Sequence, residues 1–127
     1  MTRILKAVDY TLTEQRSKFH AAALPAASLD EVKEALAKRK KRYHKARHHC
    51  WACRVRDDEG RVVEQARDDG EVGRPGMKLL ELLRHNDLEG LLVVSRIFGG
   101  VKLGPGGVGR AFRDAGAGAL GQLAMDG

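Results

Sequence analysis

Alternation of apolar and polar positions predicts strands along much of the chain. It is clearest in four segments, which are residues 3–12, 17–24, 49–56 and 61–66. A fifth segment, Leu91 to Phe98, is almost continuously apolar, which is typical of a central strand with both faces buried. Asp57-Asp58-Glu59-Gly60 has the composition of a turn, so we expect the third and fourth segments to form a hairpin.

Helical periodicity occurs in three places. Ser28-Leu29-Asp30-Glu31 is a capping box, and apolar positions then repeat on one stripe to residue 42. Pro75 can begin a second helix with a leucine-rich face, and a third helix is predicted after Gly109. The order β-β-α-β-β-α-β-α predicts one domain over residues 1–127, of the α/β (α+β) class. We expect a two-layer sandwich of helices packed on one mixed sheet.

Positive charge is concentrated in one segment, which we call the basic run. The chain has 127 residues and a net charge of +6, whereas residues 38–47 alone contain seven cations and no anion. Such a run attracts phosphate-rich partners, although a solvated helix end with cations favoured by the helix dipole explains it equally well. Its candidate phosphate contacts are Lys38, Arg39, Lys41, Arg42, Lys45 and Arg47.

The chain has the composition of a cytoplasmic protein. No apolar stretch reaches the roughly 18 residues of a membrane-spanning helix, and the first residues lack the apolar core of a signal peptide. His48, His49, Cys50 and Cys53 are potential metal ligands, but successive side chains of a strand point to opposite faces. We therefore expect reduced thiols, neither a shared metal site nor a disulfide between the cysteines, and no cofactor.

Gly104-Pro105-Gly106-Gly107-Val108-Gly109 lies between a predicted strand and a predicted helix. The spacing matches the dinucleotide fingerprint, but too few residues follow for the strand that this fold requires. A glycine-rich loop leading into a helix still presents amides to an anion, and a sharp turn predicts positive φ at Gly106 or Gly107. The predicted phosphate site comprises Arg96, Lys102, Gly104, Gly106, Gly107 and Arg110, with Arg113 nearby.

Asp68, Asp69 and Glu71 place three carboxylates in one loop. They can bind a divalent cation or supply an acid and a base, whereas a solvated turn uses such residues to bond its own backbone. Ser95 lacks the turn that exposes a serine nucleophile. We keep the three carboxylates as a candidate acidic site and assign no catalytic or metal-binding residue.

Several segments together resemble the IMPACT/YigZ family. They are Arg67-Asp68-Asp69-Gly70-Glu71, the run from Leu91 through Arg96-Ile97-Phe98-Gly99-Gly100 to Gly107, and upstream Ser17-Lys18-Phe19 and Ala46 to Ala52. The resemblance implies a fold like the second domain of a small-subunit ribosomal protein and no established enzymatic activity. For the eukaryotic relative it implies translational regulation through a ribosome-associated activator protein. Family members usually carry a further domain, so we expect this chain to be the shared domain alone.

These observations predict a non-enzymatic module that binds RNA or the translation apparatus, acting as a translational regulator. The expected partner is RNA or a ribosome-associated protein, with no membrane involved. Two alternatives stay open: an enzyme acting on a small phosphorylated substrate through the glycine loop and the acidic residues, and a purely protein-binding regulator. RNA bases stack on exposed aromatic rings, so the exposure of Tyr43, Trp51 and Phe98 discriminates between them.

Overall fold

The hydrophobic pattern folds into strands and helices in nearly the predicted order. The computed structural model describes residues 1–126, with side chains described up to residue 123. The elements are β1 (Thr2–Arg3), β2 (Val8–Glu14), β3 (Ser17–Leu24), α1 (Leu29–Arg42), β4 (His48–Arg56), β5 (Val62–Arg67), α2 (Pro75–His85), β6 (Leu88–Ile97) and α3 (Gly104–Asp126).

The first predicted strand, residues 3–12, divides in two. β1 lies parallel to the start of β6, and the Ile4 N–H still donates to the Glu89 carbonyl at 2.9 Å. The chain then crosses to the sheet edge, where β2 pairs with β3. The prediction of one continuous strand over residues 3–12 is therefore wrong, because its two pieces pair with different partners.

β6 is the central strand of the sheet, as its apolar sequence predicts. The strand order is β2-β3-β6-β4-β5, and every neighbouring pair in this order is antiparallel. Every residue of β6 except the two at its ends is buried. In register, Arg96 of β6 pairs with Phe19 of β3 on one side and with His48 of β4 on the other. This register brings the segments of the candidate site together.

Helices cover both faces of the sheet. α1 packs on one face, and α2 and α3 pack on the other. Within β4, Cys50 and Ala52 belong to the core beneath α2 and α3, whereas Cys53 and Val55 belong to the core beneath α1. The fold class, helices packed on one sheet, is confirmed. The division of the helices between the faces gives three layers where the sequence indicated two.

The helix starts show where local sequence rules held and where they did not. The Ser28 hydroxyl accepts a hydrogen bond from the Glu31 N–H at 3.2 Å, and Pro75 opens α2, both as predicted. α3 begins at Gly104, earlier than expected, so Gly106 and Gly107 lie in its first turn. The positive φ angles fall instead on Gly100 and Gly104, at 89° and 72°, which corrects the prediction for Gly106 and Gly107. In the part of the chain that is described, no helix is both long and apolar enough to cross a membrane.

Candidate functional site

The candidate site lies at the end of the sheet where β6 finishes and β4 begins. Two connections close over it: residues 68–74, which join β5 to α2, and residues 98–103, which join β6 to α3. Both connections contain residues of the segments that carry the family resemblance, so these residues meet in space although they are distant along the chain.

Arg96 is the centre of this site. Its side chain is 10% exposed, and its Nη1 lies 3.2 Å from the Glu71 Oε2. Its Nη2 donates to the Ser17 hydroxyl at 3.4 Å, and its guanidinium lies over the rings of Phe19 and Phe98 at 5.3 and 5.4 Å. Both terminal nitrogens of the Arg96 guanidinium therefore have partners inside the protein. Arg96 is positioned to hold the site together, and the contact with an external phosphate that the sequence predicted for it does not fit this arrangement.

The three carboxylates of the candidate acidic site diverge. Asp68 Oδ1 accepts from the Gly76 N–H at the start of α2, and Asp69 Oδ2 accepts from the His49 N–H, both at 2.8 Å. Glu71 pairs with Arg96. Among the described residues, no group of three or more His, Cys, Asp or Glu side chains is placed to hold one metal ion. These carboxylates fasten their loop to α2, β4 and β6 and do not form a common acid–base or metal site.

His48 is fixed by the same loop. Its Nδ1–H donates to the Asp69 carbonyl oxygen at 2.8 Å, which assigns the proton to that nitrogen because the carbonyl can only accept. Its Nε2 lies 3.8 Å from the Glu71 Oε2. Both ring nitrogens therefore face the loop of the acidic residues, and the sequence did not identify this role for His48.

Two glycines let the loop and α3 approach backbone to backbone. Gly73 has a φ of 84°, and a side chain there would meet the carbonyl oxygen of Pro105. A Cβ at Gly109 would lie 2.6 Å from the carbonyl oxygen of Gly73. This contact sets the distance between residues 68–74 and the first turns of α3.

A groove of about 370 Å³ opens between these segments, and we call it the Phe98 groove. Its lining residues are Arg47, His48, Glu71, Val72, Arg96, Phe98, Lys102, Leu103, Gly104, Pro105 and Val108. Phe98 is 47% exposed and Val72 is 50% exposed, whereas the Arg96–Glu71 pair is buried. The groove is mainly apolar, with the exposed cations Arg47 and Lys102 among its lining residues.

The basic run is mostly exposed, with one exception. Arg39 is 5% exposed and pairs with Asp9 at 2.8 Å, so it cannot serve as the phosphate contact that the sequence suggested. Lys38 and Arg42 are exposed but lie 3.9 Å from Glu34 and 3.6 Å from Asp9. Lys40, Lys41, Lys45 and Arg47 are exposed and form no ion pair with any residue that the structure describes.

The predicted phosphate site is only partly brought together. Lys102 and Gly104 line the Phe98 groove with Arg96, and Gly106 and Gly107 follow in the first turn of α3. Arg110 lines a separate depression beside Glu14 and Asp114. The structure therefore groups Arg47, from the basic run, with Lys102, and separates Arg110 from both.

The sequence named Phe98 as one of three rings whose exposure bears on base stacking, but it assigned no role to the apolar neighbours of Phe98 in the groove. Of the three aromatics singled out, Phe98 is exposed, and Tyr43 and Trp51 are partly buried. The alternation of strand side chains could have identified Phe98 as a residue of this site. Phe98 follows Arg96 by two positions, so the two side chains lie on the same side of the predicted strand. A single arginine inside an apolar strand also predicts a carboxylate partner, which identifies Glu71 as one candidate among the nearby acids.

Three other reactive side chains near this end of the sheet are buried. His49 Nδ1 lies 2.7 Å from the Ser95 Oγ, and Ser95 is fully buried, so its hydroxyl is inaccessible to a substrate. Burial lowers the pKa of His49, even though the nearby Asp69 carboxylate acts in the opposite direction. Burial also raises the pKa of the Cys50 thiol, which donates to the Asp68 carbonyl at 3.2 Å.

Comparison with known proteins identifies the family. The model of the Impact N-terminal domain matches residues 15–120. The chain belongs to the IMPACT family. It is 40% identical over 107 residues to an IMPACT family member of Thermus thermophilus, an alignment that covers 84% of this chain and 56% of the relative.

Two solved structures share the fold of this IMPACT domain. A crystal structure described as that of a hypothetical protein superposes with a TM-score of 0.84 at 27% identity, covering 91% of this chain and 57% of the other. The two-domain translational regulator Yih1 superposes with a TM-score of 0.60 at 26% identity, covering 90% and 46%. The chain thus spans about half the length of the proteins that it matches.

Proposed function

We propose that this IMPACT-family chain acts in translational control by binding RNA at the end of the sheet that carries the Phe98 groove. The structural relative Yih1 is described as a translational regulator, which supports the role in translation. The observation that carries the RNA assignment is the position of Arg47. It ends the basic run and also lines the groove beside Lys102 and Phe98.

An RNA strand meets two kinds of contact at this end of the molecule. The exposed cations of the basic run attract phosphates whatever the sequence, because phosphate contacts dominate affinity and carry no base information. The Phe98 groove adds an exposed aromatic ring next to the cations Arg47 and Lys102. Cationic surface next to an exposed aromatic is the combination used by proteins that bind single-stranded nucleic acid.

Filter binding tests the RNA assignment with a matched pair of variants. We expect the wild-type chain to bind a structured RNA and a single strand at about 50 mM salt. Lys41→Gln with Lys45→Gln should weaken binding, whereas Lys6→Gln with Lys33→Gln removes two exposed lysines outside the basic run and should leave it nearly unchanged. Absence of wild-type binding at this salt concentration would refute the proposal and favour the protein-binding alternative.

Association with ribosomes tests the role in translation separately. We expect the chain to sediment with purified ribosomes at low salt, and the Lys41→Gln, Lys45→Gln variant to sediment less. If the chain binds free RNA but stays at the top of the gradient, the RNA assignment survives and the assignment to the translation apparatus does not.

A further inference from the structure

The Phe98 groove has features that an electrostatic surface for RNA backbone does not need. An arginine that neutralises phosphates would be exposed, but Arg96 is buried against Glu71 and lies over the Phe98 ring at 5.4 Å. The ring is thereby supported from inside while 47% of the residue stays exposed. An apolar ring that is held in place and left partly uncovered is available for stacking on a ligand.

The size and lining of the groove fit one flat, mostly apolar group. Its volume of about 370 Å³ falls at the small end of ligand sites, which range from about 300 to 1,000 Å³. Val72, Leu103, Pro105 and Val108 supply the apolar walls around Phe98. A planar ligand group that stacks on the Phe98 ring would bury one of its faces against that ring and the rest of its surface against these walls.

The charged residues of the groove indicate which charge a ligand must carry beside its flat ring. Arg47 and Lys102 line the groove and are exposed, and neither forms an ion pair within the described part of the chain. Glu71, the carboxylate among the described lining residues, is neutralised by Arg96. A ligand that complements the groove therefore combines a planar ring, whose face can stack on Phe98, with a negative charge a short distance away, and a nucleotide has this chemistry.

We propose that the Phe98 groove binds one unstacked base of single-stranded RNA, with the base on Phe98 and an adjacent phosphate between Arg47 and Lys102. This inference rests on the proposed function and narrows it to a place and a class of RNA. A base paired in a duplex cannot enter the groove, so the groove discriminates single strands from duplexes. The basic run makes no such distinction.

Substitution of Phe98 tests the inference against a matched control. The probes are a short single-stranded RNA and a duplex of the same sequence, and the controls are wild type and Val62→Ala, which removes a similarly exposed apolar side chain on β5. We expect Phe98→Ala to weaken single-strand binding about 5- to 150-fold, the range for loss of one base–aromatic stack. Duplex affinity and the salt dependence should stay unchanged because no charge is removed.

If Phe98→Ala unfolds, a second variant, Phe98→Leu, and a second readout, the fluorescence of a modified base, still test the inference. Leucine retains apolar bulk but cannot stack, so we expect it also to weaken single-strand binding selectively. A 2-aminopurine base in the single strand should gain fluorescence on binding to wild type, because it leaves the neighbouring bases that quench it, and should gain less on binding to Phe98→Leu.

The outcomes separate this inference from the proposed function. Single-strand binding that is unchanged in folded Phe98→Ala, or weakened equally for duplex and single strand, overturns the base site while RNA binding by the basic run stands. A wild-type chain that binds neither RNA overturns both. Displacement of the 2-aminopurine strand by adenosine 5′-monophosphate but not by inorganic phosphate supports the base site, and displacement by both equally overturns it.

Discussion

Arg96 illustrates how one residue can organise a site without being available to a ligand. It is a cation in the middle of a buried strand, and removing a charge from water is costly unless a counter-ion and hydrogen bonds replace the solvent. Glu71 supplies the counter-ion, Ser17 supplies a hydrogen-bond acceptor, and two aromatic rings flank the guanidinium. The pair joins the loop before α2 to the central strand.

Glu71→Gln should therefore destabilise the protein strongly. It leaves the Arg96 charge buried without a counter-ion, and breaking a buried pair in this way typically costs about 3–5 kcal/mol. Glu14→Gln removes an exposed carboxylate and should change the free energy of unfolding by less than about 0.5 kcal/mol. Urea denaturation measures both. A loss below about 1 kcal/mol for Glu71→Gln would mean that the pair is solvated and contributes as little as a surface salt bridge.

A buried histidine, His49, and a partly buried one, His20, make stability depend on pH on the acidic side of neutrality. Burial lowers the pKa values of His49 and His20, so between their folded and unfolded pKa values the unfolded chain binds more protons. Stability then rises with pH, and it should be lost as the pH falls below the ordinary histidine pKa of about 6.5. His49→Gln should flatten the dependence of the unfolding free energy between about pH 5 and 7, whereas replacing the exposed His85 should not. An unchanged slope in His49→Gln would contradict the prediction.

Residue patterns predicted which side chains face the core better than they predicted their partners. Alternation in β4 correctly separated Cys50 from Cys53, because the period of a strand is a local property. The Arg96–Glu71 pair joins residues 25 positions apart, so only the tertiary fold specifies it. For the same reason the sequence grouped Arg110 with Lys102, although the turn of α3 directs them to different depressions.

At the scale of elements, the start of α3 shows why local sequence can misplace a boundary by several residues. Glycine and proline usually end helices, so Gly104 to Gly109 was predicted as a loop. The first-turn amides of a helix need no internal partner, however, and proline is tolerated there. Local sequence does not distinguish a glycine-rich loop from a glycine-rich first turn. The packing of Gly109 against Gly73 favours the helix.

Two glycine substitutions in α3 should have opposite effects. Alanine at Gly121 meets nothing within 4 Å and should stabilise the helix by up to about 1 kcal/mol, the difference in helix propensity. Alanine at Gly109 gains the same propensity, but its Cβ would lie 2.6 Å from the Gly73 carbonyl oxygen and must push the loop away. We expect Gly109→Ala to lower the thermal midpoint and Gly121→Ala to raise it. Stabilisation by both would show that the loop yields without cost.

At the scale of the whole molecule, the fold places the basic run and the cations of the Phe98 groove around one end of the sheet but on opposite faces. α1 carries the basic run on one face, and the Phe98 groove opens on the other. The turn after α1 brings Arg47 into the groove lining, so this last residue of the basic run connects the run to the groove. The sequence showed that the charge is local, but the topology was needed to relate it to the groove.

This arrangement predicts that the basic run controls the salt dependence of RNA binding, equally for duplexes and single strands. Each phosphate contact contributes about 0.7–0.9 to the slope of log affinity against log salt, so Lys41→Gln with Lys45→Gln should reduce it by about 1.4 to 1.8. The reduction should be similar for duplex and single-stranded RNA, since an exposed basic helix end contacts phosphates, which carry no sequence information, and does not contact base edges. Filter binding across a salt series measures the slope, with Lys6→Gln, Lys33→Gln as the charge-matched control. An equal reduction in that control would mean that net charge, and not the position of the basic run, determines binding.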